Sequence, residues 1–187
     1  MNEWITVDSN ICGGKPVIRG TRIMVKNILG LVAGGYTVNR IIDAYPELAR
    51  EIVRRGHLLG NHTMTHPQHR FWRLGSRATR REILDCSRAI REVTGIEPVW
   101  FRAPVGHRNY FTHPVTEEAG MQVMAWNRRG YDAVSRDVDG VVRRITKHLR
   151  PGDIVLVHEA TPIAEEVLAR VLDEASRRGL RLADDSL

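Results

Sequence analysis

Two periods of apolar spacing take turns along the chain, and their changes mark its elements. Trp4-Ile5-Thr6-Val7 alternates as a short strand, and the turn-rich Gly13-Gly14-Lys15-Pro16 comes after it. Val17 to Ile23 reads as a second strand broken at Gly20, or as a hairpin turning there. The period then becomes helical. Val25, Ile28, Leu29 and Val32 share one face before Gly34-Gly35, and Thr37 caps a second helix carrying Val38, Ile41, Ile42 and Tyr45 up to Pro46. The pair has the outline of a helix-turn-helix, an outline any compact helical hairpin shares. Glu47 to Arg55 predicts a helix with Leu48, Ile52 and Val53 inward, closed by Gly56, and Leu58-Leu59 a short strand. Thr79-Arg80-Arg81-Glu82 has the spacing of a capping box, opening a helix whose Ile83, Cys86, Ile90 and Val93 face inward up to Gly95.

From there strands and helices alternate: a strand at 99–101, a helix at 115–119, a strand at 121–126, a helix at 141–149, a strand at 153–157, a helix at 163–178 and a last strand at 180–182. Such alternation implies an α/β fold of parallel strands joined by right-handed crossovers. In folds of this kind chemistry collects at the C-terminal ends of the strands. His62 and His66, Arg102, Asp132 and His158 all fall there.

Composition narrows the classes without choosing among them. The chain has 187 residues, 42% of them hydrophobic and 27% charged, enough for one or two domains with a real core. The net charge of +6 is spread along the chain with no block of like charges, so a polyanion partner is admissible and weakly supported. Cys12 and Cys86 make no disulfide framework, and there is neither a signal-like start nor a run of eighteen apolar residues. The expectation is a cytoplasmic chain with no membrane partner.

Two motif sets carry resemblances. Ile11-Cys12-Gly13-Gly14-Lys15-Pro16-Val17-Ile18-Arg19-Gly20-Thr21-Arg22-Ile23, with Tyr45-Pro46-Glu47-Leu48, resembles the DUF433 family of small antitoxin-like, helix-turn-helix proteins over residues 4–48. That resemblance implies a module at residues 1–48, truncated after Pro-Glu-Leu, that binds DNA or a toxin protein. It assigns no DNA-contacting residue. His62-Thr63-Met64-Thr65-His66, Arg102-Ala103-Pro104-Val105-Gly106, Asp132 behind Trp126-Asn127, and Leu156-Val157-His158 resemble the motifs of the polysaccharide deacetylases, the NodB-homology or carbohydrate esterase family four enzymes, over residues 46–187.

The second resemblance implies a (β/α) barrel that removes N-acetyl groups from amino-sugar polymers. His62 and His66 would be metal ligands, and His158 the proton donor to the leaving amine. Asp132 would hold the other nitrogen of His158. Arg102 would orient a carboxylate base, and Leu156, Trp126 and Pro104 would shape the substrate pocket. The family's Thr-Phe-Asp-Asp-Gly motif, which supplies that base and the third metal ligand, does not occur here, and its strand is replaced by the DUF433-like segment. The nearest echo is Thr6-Val7-Asp8-Ser9. Arg129 stands where an acidic residue is common, and Ala133 replaces a tryptophan that walls the pocket. Catalytic zinc takes three protein ligands, so two imidazoles imply a divalent metal, zinc by preference, held weakly or not at all.

The sequence admits three readings: an impaired deacetylase, a DNA-binding or antitoxin module with the C-terminal part as scaffold, and a non-functional join of two genes at Pro46-Glu47-Leu48. Trp72, His69 and Phe71 read as a sugar-binding loop or a lid cluster. His57, His107, His113 and His148 read as surface or satisfied histidines, and Arg77, Arg80 and Arg81 as a solvated face.

Overall fold

The hairpin reading of the N-terminal segment is the one the chain adopts. Strand β1 (Ile5–Thr6) pairs antiparallel with β2 (Val17–Ile18), and the Ile18 N–H donates to the Ile23 carbonyl at 2.9 Å across a turn in which Gly20 has φ 82. The computed structural model of the protein describes residues 5–21, 23–25, 28, 44–158 and 161–183. The helical hairpin expected over residues 25–45 therefore lies largely outside the described residues. The chain divides into two compact units, Met1–Met124 and Ala125–Leu187, each described by itself.

In the first unit, helix α1 (Pro46–Arg54) starts on a proline, where the missing N–H costs nothing, and stops before Gly56 at φ 79. Its buried positions are Ala49 and Glu51, whereas Leu48, Ile52 and Val53 are only half-buried. Glu51 faces inward because Arg54 and Arg55 clamp its carboxylate at 2.6 and 2.8 Å, and Arg55 also donates to the Arg19 carbonyl of the hairpin turn. On its other side α1 meets the next helix, α2 (Ser76–Thr94), where Arg50 donates to the Val93 carbonyl at 2.9 Å. One helix thus joins the hairpin to α2.

Helix α2 buries Thr79, Ile83, Cys86 and Ile90 and ends at Gly95 with φ 75, the left-handed cap predicted for it. The capping box is a misreading. The helix begins three residues earlier, with Gly75 as its cap, and Thr79 is fully buried inside it. Ile83 packs with Phe71, Phe101, Ala103, Val115 and Met121, the core of this unit. Around it lie β3 (Trp100–Phe101), α3 (Thr112–Glu118) and β4 (Gln122–Val123), with β3 and β4 parallel. Leu58-Leu59 forms no strand; pairing there is a single parallel bridge, Asn61 with Phe101.

In the second unit β5 (Arg128–Arg129) pairs parallel with β6 (Val155–Leu156). Helix α4 (Val138–Thr146) is capped by Asp137, whose side chain accepts from the Gly140 N–H at 2.9 Å. Helix α5 (Ala164–Arg177) packs Val167 and Val171 against Val141 and Ile145. The strand expected at Leu180–Leu182 does not form, and Leu182 is 76% exposed. The chain mixes α and β as expected, with strands that pair two by two among the described residues.

Candidate active site

Every residue singled out for chemistry comes just after a strand pairing. His62 lies directly after the Asn61 bridge, Arg102 after β3, Asp132 after β5, and His158 after β6.

In the first unit the histidine loop is built from Asn61. Its backbone lies between Trp100 and Arg102, donating to the Trp100 carbonyl at 2.7 Å and accepting from the Arg102 N–H at 2.9 Å. Its buried carboxamide donates to the Ile83 carbonyl and the Ser87 hydroxyl at 2.7 and 2.8 Å and accepts from the Thr63 N–H at 3.0 Å. Glu82 holds the rest of the loop. Its carbonyl accepts from the Met64 N–H, and its carboxylate accepts from the Thr65 N–H at 2.9 Å and the Thr65 hydroxyl at 2.6 Å. These anchors keep Thr63 and His66 in the left-handed region, at φ 68 and φ 50, a conformation costing about 1–3 kcal/mol per residue.

The two rings end 4.8 Å apart, centroid to centroid, at 61° to each other. His62 Nδ1 lies 2.7 Å from the Arg102 carbonyl, which can only accept, so Nδ1 carries the proton and Nε2 the lone pair. That is the tautomer of a metal-binding histidine steered by a backbone carbonyl. Two imidazoles at about 2.0–2.1 Å from a tetrahedral ion place their centroids roughly 5 Å apart, so the pair fits two corners of such a site. The set stops there. Among the described residues no three His, Cys, Asp or Glu side chains gather to hold a metal. Asp8, the echo of the absent motif, caps its own exposed turn by accepting from the Asn10 N–H at 2.8 Å. Two nitrogens fall one protein ligand short of a catalytic zinc site.

Arg102 is half-buried, and burial pushes its guanidinium below the ordinary arginine range. Its Nε reaches the Met124 carbonyl at 3.4 Å. Pro104 is buried in the turn Pro104–Gly106, where Val105 takes φ 48.

The second unit holds a tighter constellation. Asp132 is 1% exposed, and its two oxygens take different atoms of one residue. Oδ2 accepts from the His158 backbone N–H at 2.6 Å, and Oδ1 lies 3.1 Å from His158 Nδ1. An ionised Asp132 therefore fixes the Nδ1–H tautomer and leaves Nε2 to exchange a proton. The ring is 46% exposed, so it is held at one edge and open to a ligand at the other. Asp132 is aimed by its neighbours: Tyr131 has φ 62, with the Arg129 guanidinium 4.4 Å over its ring and bonded to its hydroxyl at 3.0 Å. Arg129 thus braces the turn where an acidic residue was the family's usual choice. Trp126 and Leu156 are half-buried, Trp126 just ahead of β5 and Leu156 within β6.

Sequence reasoning missed Asn61, Glu82 and Tyr131. Asn61 carried one signal, its place directly before His62. Glu82 carried none, because its partners lie 17 residues away.

With this geometry, comparison with known proteins becomes informative. Residues 5–55 match the family described as a protein of unknown function, DUF433. The rest of the chain resembles the family 4 carbohydrate esterases. A chitooligosaccharide deacetylase of Bradyrhizobium sp. is 35% identical over 136 residues, 72% of this chain and 59% of its own. A peptidoglycan-N-acetylglucosamine deacetylase of Bacillus cereus is 29% identical over 147 residues, 75% of this chain and 67% of its own. A family 4 carbohydrate esterase from Streptomyces lividans, solved in complex with acetate, shares the fold with a TM-score of 0.70 at 24% identity, over 83% of this chain and 82% of its own. The chain thus spans about three fifths of the Bradyrhizobium relative. Among the described residues no helix is long and apolar enough to cross a membrane.

Proposed function

We propose that this chain is a deacetylase-type hydrolase acting on N-acetylated amino-sugar polymers, with residues 46–187 as its deacetylase-like part and an incomplete barrel lacking the first strand. The observation that carries the reading is the Asp132–His158 pair, a buried carboxylate that fixes both the backbone and the ring of an exposed histidine. In amide hydrolysis such a histidine donates a proton from Nε2 to the departing amine, and the carboxylate keeps the ring in the required tautomer. His62 and His66 are the proposed divalent-metal ligands, Arg102 the residue that orients the base, and Leu156, Trp126 and Pro104 the pocket residues. With the acidic member of the metal set wanting, the reaction is slow.

The match over residues 5–55 is to a family of unknown function and brings no partner with it. Residues 1–48 are proposed as a DUF433-like segment, truncated relative to its family, that completes the structure around α1.

Acetate release from N-acetylglucosamine oligomers tests the reading. Slow release by the natural chain, lost in His158→Ala and lowered at least tenfold in Asp132→Asn, is the expected outcome. Cobalt uptake lost in His62→Ala and His66→Ala tests the ligand pair separately. Release unaffected by both His158→Ala and Asp132→Asn would refute the assignment.

A further inference from the structure

Trp72, in the first unit, belongs to none of the deacetylase motifs. It sits mid-way along the short turn Phe71–Arg73, its neighbour Phe71 fully buried in the core and its own indole 54% exposed. Single exposed aromatics are common and mean little. Trp72 differs in what surrounds it. It lines a shallow depression with Gly106, His107 and Arg108, so the indole faces a wall carrying an imidazole and a guanidinium. The Arg73 guanidinium lies 5.9 Å from the indole centroid. None of the four lining residues is acidic.

The two walls are tied together. Asn109, directly after Arg108, donates from Nδ2 to the Phe71 carbonyl at 2.9 Å and to the buried Thr79 hydroxyl at 2.8 Å. Its Oδ1 accepts from the Phe111 N–H and the Thr112 hydroxyl, both at 3.0 Å. Arg108 is steadied by its own contact with His113 Nε2 at 2.9 Å. The aromatic face and the cationic wall are therefore held at a fixed spacing before any ligand arrives, which lowers the cost of binding. The depression also shares Gly106 with the turn after Arg102.

We propose that this depression is a subsite for a sugar ring bearing a carboxylate, an inference that rests on the reading of the chain as acting on amino-sugar polymers. The apolar C–H face of a pyranose would lie on the Trp72 indole, and the carboxylate would meet the Arg108 guanidinium, a pairing that arginine makes with good geometry. The preferred polymer is then an acidic one, in which every second sugar carries a carboxylate, over a neutral N-acetylglucosamine chain.

Binding to the full-length protein, read by calorimetry at low salt, tests this apart from catalysis. The probes are a neutral N-acetylglucosamine tetramer and a tetrasaccharide alternating N-acetylglucosamine with N-acetylmuramic acid. The acidic probe is expected to bind about tenfold more tightly, with the advantage shrinking as salt screens the charge. Arg108→Gln should remove that preference and leave the neutral probe unchanged. Trp72→Ala should weaken both by about tenfold, and Trp72→Phe should restore part of the loss. Equal binding of the two probes, or binding untouched by Trp72→Ala, would overturn the subsite. Tight binding without acetate release would leave it standing while sinking the hydrolase reading.

Discussion

Replacing Asn61 with alanine probes how the histidine loop is held, and its cost can be worked from the contacts. The substitution removes two donated bonds, to the Ile83 carbonyl and the Ser87 hydroxyl, and takes from the buried Thr63 N–H its carboxamide acceptor. The Ile83 carbonyl sits within α2 and keeps its place in the helical ladder, so its loss is small, about 1 kcal/mol. The buried Thr63 N–H is the larger matter, at about 1–3 kcal/mol. With a small cavity added, Asn61→Ala should cost about 3 kcal/mol in all. Urea unfolding monitored by circular dichroism reads this as a lowered midpoint at unchanged slope. Asn61→Asp should be worse, because it keeps the acceptor facing Thr63 but turns a second oxygen toward the Ile83 carbonyl. A loss below about 1 kcal/mol in Asn61→Ala would show that the loop is held by other contacts, and the account of its left-handed residues would fall.

Acid stability, a crowded glycine and a helix cap supply three further tests. The Glu51 carboxylate is lowered to about 2, first by its hydrogen bond to Arg54 and then by that to Arg55, so the stability it contributes is present above the ordinary carboxylate range and is lost as pH falls toward 2; Glu51→Gln should flatten the acid limb of a pH-denaturation curve in that window, and an unchanged limb would count against the clamp. Gly130→Ala should destabilise by about 1–3 kcal/mol in thermal or urea unfolding, since a Cβ there would lie 2.6 Å from Val141 Cγ1 and 2.8 Å from the Val141 carbonyl oxygen. Asp137→Ala should cost about 1 kcal/mol in the same assay through loss of the α4 cap.

Local periodicity carried much of this fold into view. Ile83, Cys86 and Ile90 face the core as their spacing requires, and Gly56 and Gly95 end their helices at positive φ. The misreadings came from contacts between distant positions. Thr79 looks like a cap, yet it is a core hydroxyl bound by Asn109, 30 residues on. Arg128-Arg129 looks like a solvated pair, yet it forms a strand because Asp153 takes the Arg128 guanidinium at 2.8 Å beside the pairing with Val155. Arg80, read as part of a solvated face, pairs with Glu118 on α3. In the site, motif spacing located both histidine groups. The side chains that aim them, Asn61, Glu82 and Tyr131, belong to no spacing rule, because helix and turn geometry bring them in from other elements.

Helix α1 has one flank on the hairpin turn, through Arg55 and the Arg19 carbonyl, and the other on α2, through Arg50 and the Val93 carbonyl. A seam of ancestry near residue 48 would therefore run through a packed element instead of a linker. Protease cleavage or genetic excision at that point would strip the hairpin from Glu51 and Arg55 and bare a charged cluster that its neighbours now cover. Whatever history brought the two stretches together, they have come to share a wall, and neither can be lifted away without damage to the other.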